Sequence, residues 1–333
     1  MTGLPGWLAE ALQARLENIS RTGLRASAQR ISDRYRAGGG SDIIRSEFDA
    51  LAYAVVRMPA TYAAVRAALA QTAAIIADFA PRTLLDIGAG PGTASWAAID
   101  AWPTLERALL IDANPHLLAL AAAFGRSAAI ATTTTRGALG QTLGNATSAE
   151  VVTASFVLTE LAGSALIGTL ERLWELSQRL LVIVEPGTPD GFKRILACRD
   201  ALIARGAEIV APCSHAGRCP LATAERWCHF NARLPRSRDH IAAKEADVPF
   251  EDEKFAYLVA GKGLDAFTRG HRILATPRVD KSAVTLTLCA PETPAQHRIA
   301  RGDKDAYRAA KRLDWGDAVD WNADITRPTS LRP

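Results

Sequence analysis

Apolar residues recur at helical spacing through the first quarter of the chain, as Leu8, Leu12, Leu16 and Ile19, and again as Val65, Leu69, Ala73 and Ile76. This spacing predicts a helical N-terminal region over residues 1–78. Glycines at 38–40 interrupt it, Ser41 or Asp42 is placed to cap the next helix, and Pro59 suits the first turn of another. From residue 82 the pattern changes. Short apolar runs at 83–90, 106–114, 150–158 and 179–187 alternate with helix-like stretches at 93–102, 116–125, 167–178 and 192–204. Such alternation predicts parallel strands joined by crossover helices, an α/β doubly wound sheet. Two more strand-like runs, at 255–263 and 283–292, follow a polar stretch that holds three cysteines. The expected organisation is a helical region at 1–78, a Rossmann-like core at 79–205, a cysteine-rich insertion at 206–250, final core strands at 251–295 and a basic C-terminal tail at 296–333.

Composition narrows the class only a little. Of 333 residues, 48% are hydrophobic and 22% charged, which supports a sizeable core in one large domain with additions, or in two domains. No apolar run approaches the roughly 18–20 residues of a membrane-spanning helix, so no membrane role is expected. The opening MTGLPGWLAE has no basic segment ahead of an apolar one, and nothing there reads as an Arg/Ser-rich, acid-poor transit peptide. A cytoplasmic location is therefore expected, and a monomer. The net charge of +4 is mild but uneven: residues 296–312 hold six basic side chains against Asp303 and Asp305.

The run Asp86-Ile87-Gly88-Ala89-Gly90-Pro91-Gly92-Thr93 lies where the first strand meets the first crossover helix. Glycines there allow a tight turn and a close approach to a ligand, with a helix N-terminus behind them. The spacing is G-x-G-x-G, not the G-x-G-x-x-G of dinucleotide binders, and the Pro91-Gly92 ending also argues against a nicotinamide site. Asp112, twenty residues past Gly92 at the tip of the second strand, is placed to accept hydrogen bonds from a ribose diol. Together these features resemble the class I S-adenosylmethionine-dependent methyltransferases. That resemblance implies that Asp86, Gly88, Gly90 and Gly92 hold the amino-acid end of S-adenosylmethionine and that Asp112 holds its ribose.

Methyl transfer needs mainly positioning from the protein, sometimes with a general base. After the fourth strand, where many base-modifying methyltransferases carry N/D-P-P-Y/F, residues 153–160 read TASFVLTE, without Pro-Pro. Ser155 is a candidate for the adenine pocket and Phe156 for stacking on a ligand, or else for the core. Glu160 could orient a polar group, and Glu185-Pro186-Gly187 lies on the same ligand-facing edge. No residue is assigned as catalytic, and a fold that binds the cofactor without transferring its methyl group fits equally well.

Cys213, Cys219 and Cys228 crowd into sixteen residues. In a reducing compartment such a cluster reads as a metal or iron–sulfur site rather than a disulfide. Cys289 is the leading fourth ligand, with His215 and His229 as alternatives, while Cys198 reads as a small buried hydrophobe. Spacing alone leaves zinc and a [4Fe–4S] cluster both open. The stretches APCSHAGRCPL, ERWCHFNARLPRSRDH, HRILATPRVDKSAVTLTLCAPE and DKDAYRAAKRLDWGD are similar to those of the methyltransferase-like assembly proteins of the mitochondrial small ribosomal subunit and their bacterial homologues. The similarity runs from the glycine loop to about Asp317. It implies that Cys213, Cys219, Cys228 and Cys289 bind a [4Fe–4S] cluster, and that the partner is the small ribosomal subunit and its rRNA. An RNA partner requires basic and aromatic side chains near the cysteines, and Arg233, Arg236 and Arg238 are the candidates. Arg272, Arg278, Lys281 and the segment 298–312 could extend that surface.

Overall fold

A computed structural model describes residues 1–17, 19–36, 39–139, 146–223 and 225–319; Gly38 and the part of the expected basic tail beyond residue 319 lie outside them. Four helices come first: α1 (Gly6–Leu16), α2 (Arg21–Arg36), α3 (Glu47–Val56) and α4 (Met58–Ile75). The cap of α3 is Ser46, not Ser41 or Asp42. Its hydroxyl accepts from the Asp49 amide at 3.1 Å and donates to the Asp49 carboxylate at 2.9 Å, a reciprocal capping arrangement. Ser41–Ile43 instead form a single 3₁₀ turn.

The alternating part follows as β1 (Thr83–Ile87), α5 (Thr93–Ala101), β2 (Arg107–Asp112), α6 (Pro115–Gly125), β3 (Ala131–Arg136), β4 (Ala149–Ser155), α7 (Leu166–Leu176), β5 (Ser177–Pro186) and α8 (Pro189–Ala204). Then come β6 (Glu208–Ala211), β7 (Phe230–Pro235), α9 (Arg238–Lys244) and β8 (Phe250–Gly261). The sheet order is β3-β2-β1-β4-β5-β8-β6, with β1 to β5 parallel and β8 antiparallel to both neighbours. Residues 180–184 of β5 are all buried apolar side chains, as expected for a central strand covered on both faces. One face packs on the N-terminal helices and α5 through Val55, Leu69, Trp96 and Leu180. The other packs on α7 and α8 through Leu170, Leu173, Leu181 and Leu202. No helix among the described residues is long and apolar enough to cross a membrane.

Three expectations change here. The stretch 206–250 is not an irregular insertion, because β6 and β7 both pair with β8 and extend the main sheet. The 283–292 run is not a core strand. It forms β11 (Ala283–Leu288), which pairs with β10 (Arg278–Val279) and β12 (Ala295–Ala300) in a separate three-stranded sheet. Residues 296–319 are not a tail, since β12, α10 (Lys304–Ala310) and β13 (Ala318–Val319) cover that sheet or pair with β9 (His271–Arg272). The physical reason is a second small core of Ile273, Val284, Leu286, Leu288, Ile299, Ala310 and Leu313. It takes the apolar alternation of β11 away from the main sheet.

Arg272 ties this accessory unit to the body. It is 2% exposed. Its Nε donates to the Pro212 carbonyl at 3.0 Å, and its Nη1 donates to the Gly316 carbonyl at 2.7 Å and to Gln71 Oε1. Gln71 Oε1 also accepts from the Tyr257 hydroxyl at 2.6 Å. Arg272→Met keeps the chain length and discards every donor, stripping the buried Pro212 carbonyl of its partner and leaving the Gly316 carbonyl and Gln71 Oε1 with one donor each. It is expected to lower the unfolding free energy by about 3 kcal/mol, read as a shift of the urea midpoint with little change in slope.

Candidate functional site

The glycine loop is held from below. Asp86, fully buried at the end of β1, accepts from the Ser95 hydroxyl at 2.8 Å, the Ser95 amide at 3.1 Å and the Thr153 hydroxyl at 2.8 Å. Burial pushes its carboxyl up to about 6, although those hydrogen bonds act against the rise. Asp86 thus joins β1, β4 and the first turn of α5, and it lies beneath the ligand crevice rather than in it. The three glycines divide by role. Gly88 and Gly92 adopt left-handed φ values of 67° and 84°. A Cβ on Gly88 would meet Val157 at 2.3 Å, and one on Gly92 would meet Trp96 at 2.4 Å. Gly90, at φ 55°, faces open space with only Leu117 at 3.9 Å, so a side chain there would project into the crevice.

Above the loop opens a cavity of about 1000 Å³. Gly88, Gly90, Asp112, Ser155 and Phe156 line it, while Asp86 and Gly92 do not. Asp112 Oδ2 accepts from the Gly90 amide at 2.7 Å and Oδ1 from the Asn114 amide at 2.7 Å. The Ala113 amide also donates to this carboxylate, which still keeps acceptor capacity for a diol, and burial raises the carboxyl against those bonds. Phe156 sits at φ 56°, a strained backbone for a bulky residue, of the kind found where structure is held for a ligand. Glu185, fully buried, accepts from Arg194 Nε at 2.8 Å and the Leu158 amide at 3.2 Å, so it braces the loop after β4. Glu160 accepts from the Ser41 amide at 3.1 Å, and Asn114 Nδ2 donates to the carbonyls of Ser41 at 3.1 Å and Ile44 at 2.9 Å. The N-terminal segment therefore closes one side of the cavity. Sequence reasoning missed that contribution, since the partners are 70 or more residues apart.

The four cysteines come from the strand-end after β6, the loop beyond it, the residue pair before β7, and the end of β11. Cys213, Cys219, Cys228 and Cys289 nonetheless line one small cavity of about 30 Å³. Burial pushes all four thiols up, Cys289 to about 12, and mutual repulsion adds to the shift of Cys219, Cys228 and Cys289. Two buried cations flank them. Arg199, 3% exposed, donates to the carbonyls of His215 at 2.9 Å and Gly217 at 2.7 Å and pairs with Asp200 at 3.2 Å, and its Nε has no partner among the described residues. Arg272 is the second. Sequence reading passed over Arg199, although an arginine on the apolar side of α8 was the available signal. His215 Nε2 lies 3.6 Å from Cys289 Sγ, whereas His229 stacks on Trp227 with ring centroids 5.4 Å apart. Cys198 is buried in the core behind α8. Among the described residues, no three Cys, His, Asp or Glu side chains draw close enough to hold a metal ion as they stand. The donor set and its compensating cations still suit a negatively charged thiolate-bound centre.

The expected RNA-facing arginines separate. Arg233 forms two bonds to Asp252 at 2.7 and 2.6 Å, and Arg236 lies 3.3 Å from Glu251. Both guanidinium groups are engaged because β7 lies against the acidic start of β8, a pairing that sequence reasoning did not foresee. Arg238 is exposed at the start of α9. The signal for β7 was available in the alternation Phe230, Ala232, Leu234 against Asn231, Arg233, Pro235.

A sheet of this order, with a glycine turn after β1 and an acid at the tip of β2, defines a protein of the Rossmann-like methyltransferase fold. Within that class, the chain belongs to the family described as mitochondrial small ribosomal subunit Rsm22, whose model matches residues 47–320. It is 28% identical over 311 residues to the ribosome assembly protein METTL17, mitochondrial, of Homo sapiens, covering 85% of this chain and 64% of that protein. It is 25% identical over 335 residues to the Rsm22-cox11 tandem protein 2, mitochondrial, of Schizosaccharomyces pombe, covering 84% and 44%. The chain thus spans less than two thirds of the length of these relatives. Among solved structures, magnesium protoporphyrin IX methyltransferase of Synechocystis PCC 6803 with bound SAH is similar at a TM-score of 0.41 and 14% identity, over 69% of this chain and 93% of that one.

Glu251 offers a test of the electrostatics. Lys244 Nζ lies 2.7 and 2.9 Å from its two oxygens and His240 Nε2 lies 3.1 Å away. Burial opposes ionisation, but these partners overcome it and hold the carboxyl well below its ordinary 4.5. A depressed carboxyl stabilises the fold above its unfolded-state value and loses that contribution as pH falls. Glu251→Gln is expected to cost about 2–3 kcal/mol near pH 7. The gap from wild type should shrink as pH falls below about 4.5, as followed by urea denaturation across pH.

Proposed function

We propose that this chain is a small ribosomal subunit assembly factor that binds S-adenosylmethionine, a [4Fe–4S] cluster and rRNA. The observation that carries the reading is that one family match spans both the glycine crevice and all four cysteines. Gly90 would admit the amino-acid end of the cofactor, Asp112 its ribose, and Ser155 and Phe156 its base. When bound, S-adenosylmethionine supplies a methyl group on a cationic sulfur. Cys213, Cys219, Cys228 and Cys289 would hold the cluster, with Arg199 and Arg272 offsetting its charge. RNA contact falls to exposed cations: Arg238, then Arg278 and Lys281 at the β10–β11 turn, then Arg298 and Arg301 at β12.

Purification without oxygen is expected to give brown protein with about four irons and four sulfides per chain, both lost in Cys228→Ser. Colourless protein with stoichiometric zinc overturns the cluster. Calorimetry should show S-adenosylmethionine binding that weakens about tenfold in Gly90→Ala, while the far-ultraviolet circular dichroism is kept. Co-sedimentation with small ribosomal subunits should fall steeply with salt; failure to co-sediment at low salt overturns the assembly role.

A further inference from the structure

The cations of β7 and β8 are answered by carboxylates, but those of the three-stranded sheet are not. Arg278 on β10, Lys281 in the β10–β11 turn, Arg298 on β12 and Arg301 just beyond it are all exposed. None of the four lies within ion-pair distance of a carboxylate among the described residues. Arg298 donates instead to the Ser282 hydroxyl at 3.0 Å and Arg301 to the Lys281 carbonyl at 3.5 Å, so both lean toward the turn. The acid in that turn, Asp280, is occupied locally. One of its oxygens accepts from the Ser282 amide and hydroxyl at 2.7 Å and from the Ala283 amide at 2.8 Å. Asp303 and Asp305 belong to α10, which covers the opposite, apolar face, with exposed Lys304 between them. The first caps the helix at the Ala306 amide and the second lies 3.4 Å from Arg308. Four cations against Asp280 leave a surplus of three positive charges.

The register sets two of these cations in a row. Thr285 of β11 lies opposite Arg278 on one side and Arg298 on the other. All three share the face turned away from the Val284, Leu286 and Leu288 core, since side chains alternate along a strand. Two strand spacings of about 4.8 Å put the arginine backbones roughly 10 Å apart. The Thr285 hydroxyl stands between them, without a partner among the described residues. Thr287 and Gln296, bonded to each other at 3.0 Å, continue the polar surface. No aromatic ring stands among the described residues of this face.

We infer that this face is a docking surface for the minor groove of double-stranded RNA. The inference deepens the RNA-binding reading and rests on it. Unpaired surface cations fit a polyanion. Single strands are gripped by stacking their bases on aromatic rings, which this face lacks. An A-form duplex offers a wide, shallow minor groove that displays 2′-hydroxyls between its two phosphate backbones. Arg278 and Arg298 meet the phosphates on either side, and Thr285, Thr287 and Gln296 meet the hydroxyls between them. Lys281 and Arg301 add phosphate contacts at the turn.

The test titrates the full chain by fluorescence anisotropy with an RNA duplex of about 16 base pairs, an unstructured RNA strand of equal length and a DNA duplex of the same sequence. The RNA duplex should bind about tenfold more tightly than either rival at low salt. Joint replacement Arg278→Gln and Arg298→Gln should weaken the RNA duplex about tenfold or more and flatten the slope of log K against log salt by about two. Thr285→Val, which keeps the side-chain shape, should erase the preference for RNA over DNA duplex and leave the salt slope unchanged. Lys193→Gln, on α8 of the body, should change neither and controls for the loss of a surface charge. Equal affinity for duplex and single strand, or duplex binding indifferent to the arginine pair and to Thr285→Val, overturns the inference. Duplex binding as expected without co-sedimentation with small ribosomal subunits faults the assembly reading alone. Co-sedimentation without duplex preference faults this inference alone.

Discussion

The Asp86 carboxylate carries the geometry of the crevice without touching it. It is buried, and its bonds to Ser95 and Thr153 fix how the first turn of α5 sits against β1 and β4. The start of α5 sets the path of the glycine turn, and β4 sets where Ser155 and Phe156 emerge. Burying a carboxylate is costly, as its raised titration point records. The three donors offset that cost only while all stay in register, so the site above inherits a narrow tolerance from the carboxylate below. Glu185 repeats the arrangement two strands farther along, on β5, where Arg194 and the Leu158 amide secure the loop that carries Glu160.

The parallel half of the sheet was legible because its strands are continuous apolar runs ending in glycines or acids. Short polar strands were not. Residues 131–136 are mostly threonine and form edge strand β3 without an apolar signature. β7 alternates cleanly, yet it was hidden among arginines and cysteines that drew a chemical reading instead. The apolar alternation of β11 identified a strand but not its sheet, because alternation specifies a buried face and not which core buries it. At the site, Asp112, Gly90 and the meeting of four cysteines were readable from spacing and resemblance. The closure by Ser41 and the cations Arg199 and Arg272 depend on contacts between segments far apart in sequence, which no local pattern encodes.

Charge on this protein has to be sorted by what it faces. Arg233, Arg236, Lys244 and Arg57 all meet carboxylates on the first half of β8. Arg272 and Arg199 answer mainly backbone carbonyls inside the protein, with Gln71 beside the first and Asp200 beside the second. The cations of β10–β12 stand in solvent. The cations therefore separate into structural, carboxylate-paired and solvent-facing sets, and only the last can respond strongly to salt.

Cys289 is the one member of the cysteine pocket contributed by the accessory sheet; the other three belong to the body. Its amide donates to the Arg272 carbonyl at 2.8 Å, and its carbonyl accepts from the Ser214 hydroxyl at 2.9 Å. Joining it to Cys228 through a common centre would close a loop of about sixty residues, which by chain-entropy reasoning withdraws about 4 kcal/mol from the freedom of the unfolded chain. The accessory unit has its own small core, so the two parts need not unfold together. A bond at their seam would turn two neighbouring folding units into a single cooperative one.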